Sequence, residues 1–576
     1  MRSLSRKLLA SVAIVVLVLA GVATVAFSYS FAHAATRSNS AVSYNGSRGH
    51  MKLIGTVNVS KLPRASAALL GSKPAQHRPV KVTMRPQPKS SKTQPAIVGH
   101  APSASGLKRL GAGSLLGNFD GINAIQNSAA AGGDLEPPDE GLAAGNGYVM
   151  NVVNLTGAIY TTNGTTVAGP FSLGTFFNES QTFNLSDPRA YYEASTHRWF
   201  VLIWEADFGG ATESHIDLAV STSSNPLSTY NIYRIDTTNS FDAGCPCFPD
   251  YTIFGIDQYN VYLSGNEFSL ASSNFNGAEI YAVSKSQLEA GVTANYARFG
   301  SLSQAGAPAY HVQPAVSFGS PNAEYFMSSL DPNGTFDNRL GVWAMTNRQS
   351  VTSGSGMPNL SSTLITSEMY GMPPNATTPP GVCPCPALGG PLPTSGIVTN
   401  DFDAMQEVQY INGHLVGALD TAVTIPGDTS ERSGVAWFHV TPVLSGNVIG
   451  GAHISAQGYV AMQGLYLLYP HINQDAHGND GLVFSIGGPN TYLSAAYTVK
   501  LATLNYFGGV HVPGPGVDPD NGFTSTSSFG GVGRWGDYSA GEVNISNGTV
   551  WFATQYIPNN GDPYANWGNR LFEVQL

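Results

Sequence analysis

Residues 113–576 consist of short apolar or alternating segments separated by turn residues, with no long amphipathic pattern typical of a helix. Asn-Gly pairs separate several of these segments, at residues 163–164, 333–334, 412–413 and 547–548. Asn-Gly between alternating segments is a strong signal for a β-hairpin. A body of about 450 residues would overfill one β-sandwich but suits a propeller of four-stranded blades. We therefore predict an all-β fold, a β-propeller of six to eight blades with seven preferred.

The N-terminus has the layout of an export signal. Three basic residues among the first seven precede an uncharged apolar segment, residues 8–27, and Ala32-His33-Ala34 follows as a small-residue cleavage pattern. Roughly 20 apolar residues are also enough to span a bilayer. We predict that residues 1–35 are a signal peptide or an N-terminal membrane anchor. Either function places the body outside the cytoplasm, secreted or anchored at the outer face of the cytoplasmic membrane.

The next segment, residues 36–112, is rich in Ser, Pro and Lys. Residues 37–109 contain 13 Lys and Arg and no Asp or Glu. Such a composition cannot bury enough apolar surface to offset the entropy of ordering, which predicts a disordered basic linker. Its charge could hold it to a membrane or to the cell wall. No aromatic residues alternate with the basic ones, so nucleic-acid binding is not expected.

Four cysteines form two Cys-Pro-Cys units, Cys245 with Cys247 and Cys383 with Cys385. An even number of cysteines in an exported chain favours disulfides. A bridge between the two units would close a loop of roughly 140 residues and stabilise the fold by about 4–5 kcal/mol in the chain-entropy model. A four-thiolate metal site is the alternative, but structural zinc sites usually separate paired cysteines by two to four residues. The spacing leaves the pairing open.

Several longer motifs extend along the whole body. They include Pro137-Pro138-Asp139-Glu140, Asp187-Pro188-Arg189, Cys245-Pro246-Cys247-Phe248, Met405-Gln406-Glu407-Val408, Val435-Ala436-Trp437-Phe438 and Arg534-Trp535-Gly536-Asp537-Tyr538-Ser539-Ala540. Together these segments resemble a group of uncharacterised exported bacterial proteins with a sialidase-like β-propeller architecture. The resemblance implies a fold and a compartment and carries over no catalytic residue. The repeated Ser-x-Asp-x-Gly-x-Thr-Trp motif of true sialidases has no good copy in the sequence.

Charged and aromatic residues in these motifs are the candidates for a binding site. A glycosidase needs two carboxylates, and a sialidase also needs arginines to hold the substrate carboxylate. The candidate residues are Asp187, Arg189, Asp401, Asp403, Arg534, Trp535, Asp537 and Tyr538. In the structural alternative, Asp187 pairs with Arg189 and Arg534 with Asp537, while Trp535 and Tyr538 pack in the last blade. We predict no specific catalytic residue.

No cofactor is predicted, with calcium as the one candidate. Three oxygen-rich turns could hold calcium, at residues 401–403, 475–480 and 518–522, although none has the spacing of a twelve-residue calcium loop. Acidic turns also occur without ions because Asp and Asn bond their own backbone. His471 and His477 are predicted to be surface residues.

Three functional hypotheses follow. The leading one is a non-enzymatic, cell-surface or secreted propeller that binds a glycan or an extracellular protein through loops. The alternative is a glycoside hydrolase or other polysaccharide-acting enzyme with a carboxylate pair at the propeller axis. The third is a structural protein of the cell envelope.

Overall fold

The computed structural model describes residues 41–65, 113–179, 184–208, 213–330, 336–400, 403–558 and 561–576. Strands account for 56% of the structure and helices for 7%, so the predicted all-β class is confirmed. The predicted signal or anchor, residues 1–35, lies outside these ranges. Among the described residues, no helix is long and apolar enough to cross a membrane.

Three strands precede the propeller sheets in the chain. They are β1 (Val42–Tyr44), β2 (Ser47–Asn58) and β3 (Ser114–Asn123). The helix α1 (Ala124–Ala131) follows β3 and begins in a capping box. The Asn123 side chain accepts from the Gln126 amide and the Gln126 side chain accepts from the Asn123 amide, which satisfies two otherwise unpaired backbone donors.

Four-stranded antiparallel sheets then follow one another. The first contains β4 (Gly141–Gly145), β5 (Tyr148–Val153), β6 (Thr156–Thr161) and β7 (Thr166–Ser172). The second contains β8 (Asn184–Glu193), β9 (Arg198–Ala206), β10 (Ser214–Ser221) and β11 (Thr229–Asp236). The third contains β12 (Cys247–Ile256), β13 (Asn260–Ser269), β14 (Phe275–Ser284) and β15 (Ala294–Gln304), and the short β16 (Ala307–Pro308) pairs with β15. The fourth contains β17 (Gln313–Ser317), β18 (Glu324–Ser328), β19 (Asp337–Thr346) and β20 (Asn359–Tyr370).

A long connection precedes the fifth sheet. It contains β21 (Ala376–Thr377), β22 (Val382–Cys383), β23 (Leu392–Pro393) and β24 (Ile397–Val398). The fifth sheet contains β25 (Val408–Ile411), β26 (His414–Val423), β27 (Arg432–Ser445) and β28 (Val448–Val460). The sixth contains β29 (Tyr466–Gln474), β30 (Asp480–Gly488), β31 (Thr491–Lys500) and β32 (His511–Gly514). The last contains β33 (Ala540–Asn544), β34 (Thr549–Tyr556) and β35 (Gly568–Gln575). The remaining α-helices are single turns, α2 (Leu173–Phe177), α3 (Lys285–Glu289) and α4 (Ser350–Ser353).

The sheets are arranged as the blades of a propeller around one axis. The first strand of each sheet contacts the first strand of the next, in the order β4, β8, β12, β17, β25, β29 and β33, and β33 contacts β4. These innermost strands line a central channel, and we call the end at which they begin the entry end. β3 pairs with β35 as the fourth strand of the last blade, so both ends of the body share one sheet. The predicted β-propeller is confirmed.

The hydrophobic core lies between neighbouring blades. Because successive side chains of a strand point to opposite faces, each strand contributes to two layers. Phe200 and Leu202 of β9 pack with Phe254 of the third blade, while Val201 and Ile203 of the same strand pack with the first blade.

Residues 41–65 show that the linker prediction is wrong for part of its range. β1 pairs with β20, the first half of β2 with β15 and its second half with β11. The Ala65 amide then donates to β7. This segment adds outer strands to neighbouring blades because their edges offer unpaired backbone groups, and Met51 is fully buried. Residues 66–112 lie outside the described ranges.

Each Cys-Pro-Cys unit pairs with itself. The structure joins Cys245 to Cys247 and Cys383 to Cys385. The long loop considered for a bridge between the two units is therefore not closed. Cys247 lies at the start of β12, whereas Cys383 and Cys385 pack with Phe523 and Tyr564, so the units belong to separate parts of the core.

Candidate active site

Left-handed residues recur where the innermost strands begin. They are Asp139 (φ 48°), Asp187 (52°), Tyr251 (58°), His311 (44°) and Tyr469 (52°), with Gly536 (59°) before β33. Residues other than glycine rarely adopt this conformation, which costs about 1–3 kcal/mol and clusters at functional sites. In the second, third and sixth blades the pairing register shifts at this point. Such bulges redirect side chains, and here the redirected residues meet at the entry end.

Asp187 is the most extensively bonded carboxylate of this group. Its Oδ2 accepts from the Trp204 indole at 2.9 Å and from the Tyr251 amide at 2.8 Å, and its Oδ1 accepts from the Ser186 hydroxyl at 3.0 Å. Asp187 therefore holds the bulge of the third blade against the second.

Asp139 is joined to Asp187 through Asn154. The Asn154 side chain donates to Asp139 Oδ2 at 2.6 Å and accepts from the Asp187 amide at 3.0 Å. Asp139 Oδ1 has no hydrogen-bond partner, and the residue is 2% exposed. Burial and the charges of Asp537 and Asp187 raise the pKa of Asp139 well above its usual range, against the opposing effects of Arg534 and Asn154. Asp139 is thus a buried carboxyl that favours its protonated form.

The last blade brings an ion pair and an aromatic ring to the same place. Arg534 Nη2 donates to both carboxylate oxygens of Asp537, at 3.1 and 2.9 Å. The Arg189 guanidinium lies 3.4 Å from the centre of the Tyr538 ring, and the Tyr251 ring lies 5.1 Å from it. A cation over an aromatic face is a favourable contact. The second, third and last blades therefore meet at the axis through these residues.

A second polar group lies deeper in the channel. Glu407 Oε2 is 3.2 Å from His471 Nδ1. Burial acts to raise the pKa of Glu407, but His471 and Arg189 outweigh it and hold this pKa below its usual range. Burial raises the pKa of Glu542 well above its usual range, although the Ala144 amide donates to it at 2.9 Å.

The channel itself is too narrow for a sugar. The cavity lined by Arg189, Glu407, His471 and Glu542 has a volume of about 30 Å³. One water molecule needs roughly 10–15 Å³ measured in this way, so the channel accommodates only a few waters.

The structure brings most of the predicted site residues together. Those at the entry end are Asp187, Arg189, Arg534, Asp537 and Tyr538. Trp535 lies beside them but packs in the core between blades. Asp403 is fully buried. Three residues further along the chain, the Gln406 side chain donates to the Asp537 carbonyl at 3.4 Å. Asp401 lies outside the described residues.

The simple pairing alternative holds for only one of the two pairs. Arg534 bonds Asp537, whereas Asp187 and Arg189 contact other residues instead of each other. The pairing register shifts between Ser186 and Arg189, so the side chains of Asp187 and Arg189 do not follow the regular alternation of a strand.

Sequence reasoning missed several residues of the site. Asn154 and His311 were not among the candidates, and the prediction that His471 lies on the surface is wrong, because it is 3% exposed and lines the channel. A usable signal was present. Tyr469-Pro470-His471 repeats the order of Asp187-Pro188-Arg189, in which a left-handed residue precedes proline and a basic side chain.

The predicted calcium turns use their carboxylates for backbone bonds. Asp475 accepts from the amides of His477 at 2.8 Å and Asn479 at 2.9 Å, and Asp520 accepts from the Gly522 amide at 3.1 Å. These bonds are those of ordinary Asx turns. The third turn lies partly outside the described residues, and calcium stays a prediction.

Comparisons with known proteins concern the fold of the chain. No family model matches the chain, and no curated protein matches it. Among solved structures, it is similar to an exo-β-1,3-galactanase from Clostridium thermocellum at 9% identity, with 78% of this chain and 97% of that chain covered and a TM-score of 0.27. It is similar to a Trypanosoma rangeli sialidase at 10% identity, with 72% of this chain and 56% of that chain covered and a TM-score of 0.31. It is also similar to an endo-1,5-α-L-arabinanase from Thermotoga petrophila at 11% identity, with 76% of this chain and 98% of that chain covered and a TM-score of 0.23. At these identities the likeness is one of fold alone.

The prediction of a non-enzymatic binding module is wrong. The finding that contradicts it is that the solved structures similar in fold include a galactanase, a sialidase and an arabinanase. In this chain, the carboxylates of Asp139, Asp187 and Asp537 interact at the entry end beside Arg189 and Arg534.

Proposed function

We propose that the protein is a glycoside hydrolase or a related polysaccharide-acting enzyme whose reaction takes place at the entry end of the propeller. One observation carries the proposal. Asp139 and Asp537 interact at one site, but burial favours the protonated form of Asp139 while Arg534 pairs with Asp537. Two carboxyl groups whose surroundings separate their protonation states are suited to act as acid and base.

In this proposal Asp139 is the general acid. Its Oδ1, which has no hydrogen-bond partner, would give a proton to the glycosidic oxygen as the bond to the leaving sugar breaks. The Asp537 carboxylate would then activate a water molecule or attack the sugar directly. Arg534, which is 2.9 Å from Asp537 Oδ2, would hold this carboxylate in position for either step.

Arg189 is the residue best suited to hold the substrate. It donates one bond, from Nη1 to the Glu140 carbonyl at 3.4 Å, and its Nε and Nη2 have no hydrogen-bond partner. A buried guanidinium with unused donors suits a sugar carboxylate or a pair of hydroxyls.

The test is turnover on a polysaccharide panel by the wild type and by D139N. The panel includes sialosides, β-1,3-galactan, α-1,5-arabinan and ulvan, substrates suggested by the names of the similar structures. We expect hydrolysis or bond cleavage of one class and a loss of about 10²–10⁴-fold in kcat for D139N, the usual contribution of a general acid. D337N is the matched control, because Asp337 pairs with the exposed Arg339 on an outer strand. Full activity of D139N would contradict the assignment, and no turnover of any substrate would contradict the function.

Export remains part of the proposal and rests on the N-terminal sequence. The first residue of the exported protein distinguishes its two forms, since a start at Ala35 indicates cleavage and an intact terminus indicates an anchor. We also propose oxidised Cys-Pro-Cys units, as expected of an extracellular protein. Calcium in the acidic turns would appear as a fall in melting temperature with a chelator.

A further inference from the structure

A second group of buried ionisable residues lies between the first and second blades. Glu179 follows α2, Glu205 is in β9, and His215 and Asp217 are in β10. The last three are on the strand faces that pack against the first blade with Ile203 and Ala219. With Arg234 of β11, we call these residues the second-blade cluster.

This cluster contains more negative than positive charge. Arg234 bonds Asp217 through Nε at 2.8 Å and Nη2 at 2.6 Å, and it also contacts Glu179. Arg234 thus bonds two of the three carboxyl groups of the cluster, Glu179 and Asp217. Buried charges are costly unless they are paired, and one guanidinium does not balance three ionised carboxylates.

Glu205 is the member that points to a ligand. Its side chain has no exposed surface. Its Oε2 is 3.0 Å from His215 Nε2, whereas its Oε1 is buried without a hydrogen-bond partner. The guanidinium of Arg234 is directed to Asp217 and Glu179, and within the described residues it makes no contact with Glu205.

We propose that Glu179, Glu205, His215 and Asp217 bind one divalent transition-metal ion, Zn²⁺ or Mn²⁺. Each residue offers one ligand atom, and these four atoms lie within 4.8 Å of one another. Ligand atoms at about 2.0–2.2 Å from a common ion are at most about 4.4 Å apart, so small side-chain movements would complete the site.

The donor set selects the kind of ion. Calcium and magnesium prefer oxygen ligands alone, whereas an imidazole nitrogen beside carboxylates suits zinc or manganese. The double positive charge would neutralise the surplus left by Arg234. Arg234 would then hold Asp217 in orientation, as outer partners of metal ligands commonly do.

The ion would join two blades at the interface that also carries Asn154 between Asp139 and Asp187. Its expected role is structural, because four protein ligands would fill the coordination positions of the ion, as in structural zinc sites. This proposal is independent of the enzymatic one.

The test measures metal bound by the full chain after treatment with chelator and dialysis into metal-free buffer. Zn²⁺ and Mn²⁺ are added separately, and bound metal is determined by elemental analysis after equilibrium dialysis. We expect one ion of at least one metal per chain and a higher melting temperature on binding. E205Q and H215Q should weaken binding by at least about 100-fold, the upper range for disturbed outer partners.

E267Q is the matched control, because Glu267 is equally buried and lies beside Arg298 in another blade. It should keep one bound ion. Far-UV circular dichroism verifies that each variant is folded, and R234Q, which keeps all four ligands but loses the outer partner of Asp217, should still bind one ion, with an affinity at most about 10–100-fold below that of the wild type. Absence of saturable binding to the wild type, equal binding to E205Q and H215Q, or equal loss in E267Q would overturn the proposal.

Discussion

Two neighbouring blades solve the same electrostatic problem differently. The second-blade cluster has three carboxylates around Arg234. The third blade has Asp242, Glu267 and Glu279 around Arg298, and with Asn239 we call these residues the third-blade cluster. Arg298 bonds all three carboxylates, at 2.6, 2.9 and 2.9 Å. Both arginines lie in the fourth strand of their blade, so the clusters occupy corresponding positions.

The difference lies in what the arginine reaches. Asn239 adds donors to Glu267 at 2.7 Å and to Glu279 at 3.0 Å, which leaves the third-blade cluster with contacts to every carboxylate. Burial acts to lower the pKa of Arg298, but Glu279 and Glu267 outweigh it and raise this pKa. Burial instead lowers the pKa of Arg234 to about 10. In the third blade, Arg298 thus bonds all three carboxyl groups of its cluster. In the second blade, Arg234 bonds two of the three and does not reach Glu205.

R298Q should produce the largest effect on this comparison. It removes the arginine that bonds the buried Glu267 and Glu279 and the partly exposed Asp242, and breaking a buried ion pair costs about 3–5 kcal/mol. The measurement is urea unfolding at neutral pH, with R339Q as a control because the Arg339 side chain is 44% exposed. We expect neither Zn²⁺ nor Mn²⁺ to restore the loss. A cost near that of R339Q would mean that the third-blade cluster does not depend on Arg298.

R234Q should have a smaller effect that metal reverses. The Arg234 side chain is 29% exposed. Loss of its charged hydrogen bonds to Asp217 should lower the free energy of unfolding by about 1–3 kcal/mol in metal-free buffer. Saturating Zn²⁺ or Mn²⁺ should recover most of this, because the ion replaces the missing positive charge. The same unfolding experiment with and without metal measures it. A loss that metal leaves unchanged would remove the distinction between the clusters.

The fold was readable from the sequence because turns and alternation are local. Asn412-Gly413 joins β25 to β26 as the hairpin pattern predicted. The linker prediction failed for residues 41–65 because average composition hid an edge strand. β2 is mostly exposed, and its pairing depends on blades more than a hundred residues away.

The site was only partly readable because it depends on backbone conformation and distant contacts. Asp187, Arg189 and Asp537 were found by residue type and motif. The left-handed backbone conformation of Tyr251 and His311 cannot be recognised from residue type in the sequence. In the structure their ring centres lie 4.5 Å apart. Asp139 was one carboxylate among many until Asn154 joined it to Asp187.

E267Q should have the smallest effect, seen only in how stability varies with pH. Burial and the charge of Glu279 raise the pKa of Glu267 to about 8. Below about pH 4.5 this carboxyl is protonated in both folded and unfolded chains. As the pH rises toward 8, the unfolded chain loses the proton first, so ionisation favours unfolding and stability falls; above that pH its contribution is constant. Glutamine cannot ionise, so E267Q should flatten the fall between pH 5 and pH 8 by a fraction of the roughly 4 kcal/mol that one unshared titration carries over three pH units, because Glu279 shares part of the titration. Unfolding free energies across this range measure the effect, and D337N is the control. A slope equal to that of the wild type would show that Arg298 already keeps Glu267 ionised, and that the third-blade cluster is better neutralised than its geometry indicates.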